Sequence, residues 1–395
     1  MPTNQLLEIN KNTCTDLVCF SHLRWDFVYQ RPQHLMSRFA KQYRTFFVEE
    51  PLFHDSGDRL QIRLTEENVW IVTPYLSSAA TDKQSIVTRQ KQLINTLFAD
   101  KKIEKFIAWY YTPMALKISS HLNAQVVVYD CMDELAAFKF APAELKIMEA
   151  ELFSKAHVVF TGGYSLFEAK KHAHRNIFPF PSSIDKTHFS KGRNKLNEPY
   201  DQQQITRLRF GFYGVIDERF NIQMIKEVAE KRPEWQLVLL GPVVKINPED
   251  LPKLPNIHYL GSKSYSELPV YLSGWDFAII PFEKNESTKY ISPTKTPEYL
   301  AAGKPVISTS ITDVVNPYGD KKLVYIADNA DEFIKSAETE LAKSNKQIKQ
   351  WLSKVDAFLK DISWDCTTAE MMDKINDCLA EQNTTGQASK LKSVA

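Results

Sequence analysis

The chain has 395 residues, 43% hydrophobic and 25% charged, with a formal net charge of +1. That length suits two or three domains with ample core. A near-zero charge gives no electrostatic footing for nucleic acid, no apolar run is long enough to span a bilayer, and residues 1–16 are too polar for a signal peptide.

Five cysteines at 14, 19, 131, 366 and 378 show no metal-ligand spacing, and a reducing cytoplasm is the simplest compartment for such a set. In chain order, the candidate strands of the first half are LVCFSH (17–22), RTFFVE (44–49), NVWIVTP (68–74), FIAWYY (106–111), QVVVYD (125–130) and HVVFTG (157–162). Helical patterns lie at 31–42, 85–99, 113–122, 142–154 and 165–174. Strands apolar on both faces and separated by helices predict a parallel sheet covered on each side.

A polar stretch without apolar periodicity, SKGRNKLNEPYDQQQITR (190–207), follows and reads as a linker. The alternation then restarts with LRFGFYG (208–214), WQLVLLGP (235–242), NIHYLG (256–261), WDFAIIPF (275–282) and PVIST (305–309), with helices at 221–231, 265–272 and around Glu298. Three helical patterns close the chain at 331–344, 347–359 and 367–380. The fold class is therefore α/β, with two Rossmann-like, doubly wound domains. The boundaries are a first domain 1–190, a linker 191–206, a second domain 207–363, a terminal helix 364–382 and a tail 383–395 with little to bury.

Ligands in such folds bind beyond the carboxyl ends of the strands, which selects the loops to read. Most informative is P-T-K-T-P-E-Y-L-A-A-G-K-P-V (293–306). Pro293 stands where a helix can begin and Gly303 where it can end. Free amides and a partial positive charge at the helix start suit phosphate, and Ser292, Pro293 and Thr294 form that mouth. Lys295 adds a full charge. Glu298, on the same helical face, can accept hydrogen bonds from the two hydroxyls of a ribose. The bland alternative is an ordinary helix with Lys295 and Glu298 as a surface ion pair. Gly214 allows the backbone close to a phosphate, and Arg219 can add charge to a diphosphate or lie on the surface.

This block resembles the donor-site motif of GT-B glycosyltransferases, most of all the retaining, nucleotide-sugar-using family-four type. The resemblance implies two domains facing a central cleft, with C-terminal helices crossing back to the first domain near Trp364. It implies a donor, UDP-linked by family frequency, on the second domain and an acceptor on the first, without metal or other cofactor. It places Leu260 and Gly261 beside the nucleobase. Two departures stand out: Val215 occupies the usual arginine position, and Tyr290 the position of the first glutamate in the family's acid pair.

In the first domain, LRWDFVYQRPQHLMSRF (23–39) brings Arg24, Trp25, Asp26, Gln30 and Arg31 to the cleft, for diphosphate or acceptor hydroxyls, with Trp25, Phe27 and Tyr29 for stacking on a sugar; a structural strand–helix corner is the other reading. The segment resembles the N-terminal block of a bacterial subgroup that includes teichuronic-acid-type transferases. The loop CMDELAAFKF (131–140) places Asp130, Asp133 and Glu134 at a strand end, and Asp133 is the candidate for contacting the donor sugar or orienting the acceptor. A helix cap with first-turn acids explains them equally well. Ser165, after TGGYS (161–165), can cap the next helix.

Glu49-Glu50 ends a strand, but no G-x-G-x-x-G turn precedes it and no P-loop is present, against nicotinamide or P-loop chemistry. Lys170, Lys171, His172, His174 and Arg175 make a basic face, solvated or in weak contact with an anionic membrane surface. The reading is a metal-independent glycosyltransferase moving a sugar from a nucleotide-sugar to a polysaccharide, glycan or lipid-linked acceptor, in the cytoplasm or at the inner membrane face. Catalysis rests on Lys295, Arg219 and Asp133. A GT-B epimerase and a non-catalytic nucleotide- or sugar-binding subunit are the alternatives.

Overall fold

The computed structural model describes residues 15–78 and 82–392, with side chains described to residue 382. The polar N-terminal segment and Cys14 lie outside the described residues. The chain forms two sheets, each fed by crossovers that a parallel arrangement requires. The first comprises β1 (Asp16–Phe20), β2 (Thr45–Val48), β3 (Leu52–His54), β4 (Arg59–Leu64), β5 (Val69–Ser77), β6 (Phe106–Tyr110), β7 (Val126–Cys131), β8 (Val158–Thr161) and β9 (Ile177–Pro179). Its order is β3-β5-β2-β1-β6-β7-β8-β9, with β4 antiparallel on β5. The second runs β12-β11-β10-β13-β14-β15 through β10 (Arg209–Tyr213), β11 (Gln236–Leu240), β12 (Ile257–Gly261), β13 (Phe277–Ile280), β14 (Val306–Ser308) and β15 (Tyr325–Ile326).

Every residue of β1, β2, β6, β8, β10 and β13 is buried, as central strands covered on both faces should be. Leu17, Cys19, Phe47, Trp109 and Phe160 pack on one face of the first sheet; Val18, Phe20, Phe46, Tyr110 and Val159 pack on the other. The helix Trp364–Lys392 completes the first of these layers with Trp364, Met371, Met372, Ile375 and Cys378. It runs through 383–392, which the composition alone assigns to a tail.

Two chain passes join the lobes. The segment around Ile184 leaves the first lobe, the chain returns at Trp364, and the Trp364 amide donates to the Ile184 carbonyl at 3.2 Å. The expected linker is not a loose one. It contains the short helix Tyr200–Gln203, and fully buried Gln202 accepts from Trp275 Nε1 at 2.8 Å and donates to the Tyr271 carbonyl at 3.0 Å. A polar run without apolar period still packs when its amides find buried partners.

Candidate active site

A cleft of about 550 Å³ separates the carboxyl ends of the two sheets. From the second lobe it is lined by Gly214, Arg219, Ser292, Pro293, Thr294, Lys295 and Glu298, and from the first by Trp25, Asp26, Gln30, Arg31 and Asp133.

The helix predicted from Pro293 spans Lys295–Ala301 and ends before Gly303, whose φ is +69°. Glu298 is 4% exposed and accepts from the Tyr213 hydroxyl at the end of β10. Lys295 stands beside it with Nζ 5.5 Å from the Phe212 ring and 5.6 Å from that of Phe282. No ion pair joins Lys295 to Glu298 or to any other carboxylate among the described residues, so the surface-pair alternative fails. Burial holds the Glu298 carboxyl above its ordinary range, and burial with nearby Arg219 holds the Lys295 ammonium below its own. Each is a group whose charge would be better satisfied by something entering the cleft.

Gly214, at φ +137°, is where the backbone passes under Lys295; a Cβ there would stand 2.4 Å from Lys295 Cε and 2.7 Å from Nζ. Arg219 is gripped by Asp217, with Nε donating to Oδ1 at 2.9 Å and Nη2 to Oδ2 at 2.7 Å. Its guanidinium lies 5.2 Å from the ring of Phe138, which belongs to the first lobe. Asp133 faces these cations from the opposite wall. Burial pushes its carboxyl up to about 6 against the pull of Arg219, Arg31 and Lys295.

Other predicted residues take structural posts. Arg31 and Asp130 are buried and bound to each other, with Arg31 Nε and Nη2 donating to Asp130 and Nη1 to the Phe180 carbonyl at 2.7 Å. That leaves no free fork for a phosphate. Arg24 lies outside the cleft lining, bound to Glu49 and to the Glu50 and Pro51 carbonyls. Glu134 pairs with Lys170, which also grips Glu149, so the basic face loses its first member to a half-buried network. Trp25 is buried edge-on against Phe47, and Tyr29 stacks on Tyr265 of the second lobe at 4.4 Å. Of the three aromatics proposed for stacking, Phe27 alone is widely exposed. Asp26 pairs with Arg63 on β4. Leu260 and Gly261 fall just short of the cleft, whose wall is made by Ser262, Lys263, Ser264 and Tyr265.

Sequence reasoning missed Tyr213, Tyr265, Ser182 and Glu67, all of which line the cleft. Tyr213 was visible as the residue before Gly214. Glu67 lies on the turn between β4 and β5, and β4 was not read as a strand.

Two largely parallel sheets facing one cleft, with a helix crossing back, define a GT-B fold. Residues 209–343, in the second lobe, match the family described as "Glycosyl transferases group 1", the likeness that the donor-site motif led one to expect. A Bacillus subtilis (strain 168) protein named "Putative teichuronic acid biosynthesis glycosyltransferase TuaH" is 24% identical over 286 residues, covering 68% of this chain and 71% of that one. Among solved structures, sucrose-phosphate synthase from Thermosynechococcus elongatus superposes with a TM-score of 0.68 at 12% identity, over 93% of this chain and 100% of its own. HepE from Anabaena, in complex with UDP, gives 0.61 at 12% identity over 92% and 100%. An E. coli trehalose-6-phosphate protein bound with UDP-2-fluoro glucose gives 0.61 at 12% over 92% and 99%. These likenesses carry the fold.

Proposed function

We propose that this chain transfers a sugar from a UDP-linked donor to a glycan or lipid-linked acceptor of the cell envelope, with retention of anomeric configuration. The observation that carries the reading is Lys295, a cation with no carboxylate partner among the described residues, one helical turn from buried Glu298 at the floor of the cleft. The solved relatives that hold UDP or a UDP-sugar analogue support the donor class, and the teichuronic acid relative supports the acceptor class.

Lys295 and the Arg219–Asp217 pair would face the diphosphate, and Glu298, oriented by Tyr213, the ribose. The growing charge on the leaving phosphate is then met by fixed groups rather than by reorganised water. That phosphate can take the proton of the attacking hydroxyl, so the chemistry needs neither a strong protein base nor a metal. Asp133, facing the cations from the first lobe, orients the hydroxyl or the transferred sugar. On the acceptor side Phe27 offers a stacking face, while Asp26, Gln30 and Glu67 offer partners for hydroxyls. The work belongs in the cytoplasm, with the inner face of the membrane as the place to meet a lipid-linked acceptor; no helix among the described residues is long and apolar enough to cross a membrane.

Calorimetric titration with UDP, GDP and their sugars tests the donor. UDP should bind, and Glu298→Ala should weaken it by more than tenfold, about 1.4 kcal/mol. Equal affinity in parent and variant would remove Glu298 from the site. Product analysis with donor alone and with donor plus acceptor separates transfer from epimerisation and from mere binding.

A further inference from the structure

On one flank of the cleft the two lobes touch through Gly163, Ser165 and Ser182 of the first and Ser292 and Asp313 of the second. The helix Tyr164–Lys170 of the first lobe has Gly163 at its N-cap position, with no side-chain cap of its own. The cap comes from the second lobe: the Ser165 amide donates to Asp313 Oδ1 at 2.9 Å. Alongside, Ser182 Oγ donates to the Ser292 carbonyl at 2.5 Å, and the Ser182 amide to Ser292 Oγ at 3.4 Å. Tyr290, two residues earlier, packs against the first lobe's core together with Phe167.

Gly163 is in extended backbone, at φ −171°, which any residue adopts. Its own lobe therefore places no conformational demand for glycine there. The demand comes from across the cleft. A Cβ would stand 1.9 Å from Asp313 Oδ2, 3.2 Å from Asp313 Cγ and 2.9 Å from Ser292 Cβ, and all three atoms belong to the second lobe. Asp313 is 6% exposed in this contact, and its Oδ2 is buried without a hydrogen-bond partner. With Oδ1 accepting from the Ser165 amide, the Asp313 carboxylate ties the lobes together at the place that a side chain on residue 163 would occupy.

We infer that Gly163 and Asp313 form a latch that fixes how closely the lobes approach. Through Ser292 the latch registers the closed position on the loop that carries Pro293, Thr294 and Lys295. Both are positioning residues, and the contact stands whatever the donor; the proposed reaction enters only where turnover is read.

The test uses the full chain. Small-angle scattering, with and without UDP, should show Gly163→Ala with a larger radius of gyration than the parent, while its melting temperature and its UDP affinity stay at the parent's values. Turnover should fall by about 100-fold, the loss that roughly 1 Å of misplacement between reactants brings. Asp313→Ala should open the lobes likewise. Asp313→Asn keeps an oxygen for the Ser165 amide and should scatter as the closed parent does. A Gly163→Ala protein as compact as the parent would overturn the latch. Scattering decides this even if no donor is turned over, so failure of the latch and failure of the proposed reaction are told apart.

Discussion

Replacing Lys295 by methionine keeps the length and apolar contacts of the side chain beside Phe212 and Phe282 and removes only its charge. Among the described residues no carboxylate lies within ion-pair distance of that charge, whereas the neighbouring Arg219 is already matched by Asp217. A unit charge at about 4 Å from a phosphate oxygen is worth roughly 4 kcal/mol at an effective dielectric near 20. The part that matters for rate is the part that grows as the leaving group departs. Loss of one fixed electrostatic contact of this kind costs about 10²–10³ in kcat, or roughly 2.7–4 kcal/mol. Arg219→Gln removes the same unit of charge and also leaves buried Asp217 without its partner, so it should cost stability as well as rate, about 3–5 kcal/mol in denaturant titration. Release of nucleotide diphosphate at saturating donor, near neutral pH, measures the rate of both variants. Burial and Arg219 depress the Lys295 ammonium, so the parent's rate should also fall on the alkaline side, and Lys295→Met should lack that limb. A methionine variant with the parent's kcat, beside an Arg219→Gln variant without activity, would refute the assignment of the free cation.

Gly214→Ala should lower turnover by about 100-fold, because its Cβ would push Lys295 aside; circular dichroism should show the fold intact. Asp133, raised by burial to about 6, should give kcat/KM an acid limb near that pH, and Asp133→Asn should flatten it. The same shift has a stability sign. The folded carboxyl holds its proton more tightly than the unfolded one, so its contribution is present at low pH and is lost as pH rises through about 4 to 6. At neutral pH Asp133→Asn should therefore melt higher, by up to about 3 kcal/mol of stability, while turning over more slowly. Trp364→Ala removes a fully buried ring stacked on His34 at 4.7 Å and should destabilise the protein by about 3–5 kcal/mol in denaturant titration. Dialysis against EDTA should leave turnover unchanged, as the proposed metal-free reaction requires, checked by the same release assay.

The central strands were legible because burial on both faces leaves an unbroken apolar run, as in FIAWY and FAII. β4 was not: RLQIRL alternates, and an edge strand with one solvated face resembles a polar loop to a search for buried runs. β9 was hidden by its proline, which an outermost strand tolerates. The donor helix was legible because Lys295 and Glu298 are three residues apart and share a turn. The fate of Arg31 was not. Its partner Asp130 is 99 positions away, and only the fold decides whether two such residues meet each other or a ligand. For the same reason Ser165 found its cap 148 positions downstream, in Asp313.

The first lobe borrows Trp364, Met371, Met372 and Ile375 from the far end of the chain. Its interior therefore cannot be finished on the ribosome until residues 364–378 have emerged. The second lobe, whose core ends at Leu359, is complete a few residues earlier. The lobe that is begun first is the one sealed last. A fragment cut after the second sheet would leave an apolar trough along the first, open to chaperones or to aggregation. Dissecting this protein into halves thus calls for grafting the last helix back onto the first half.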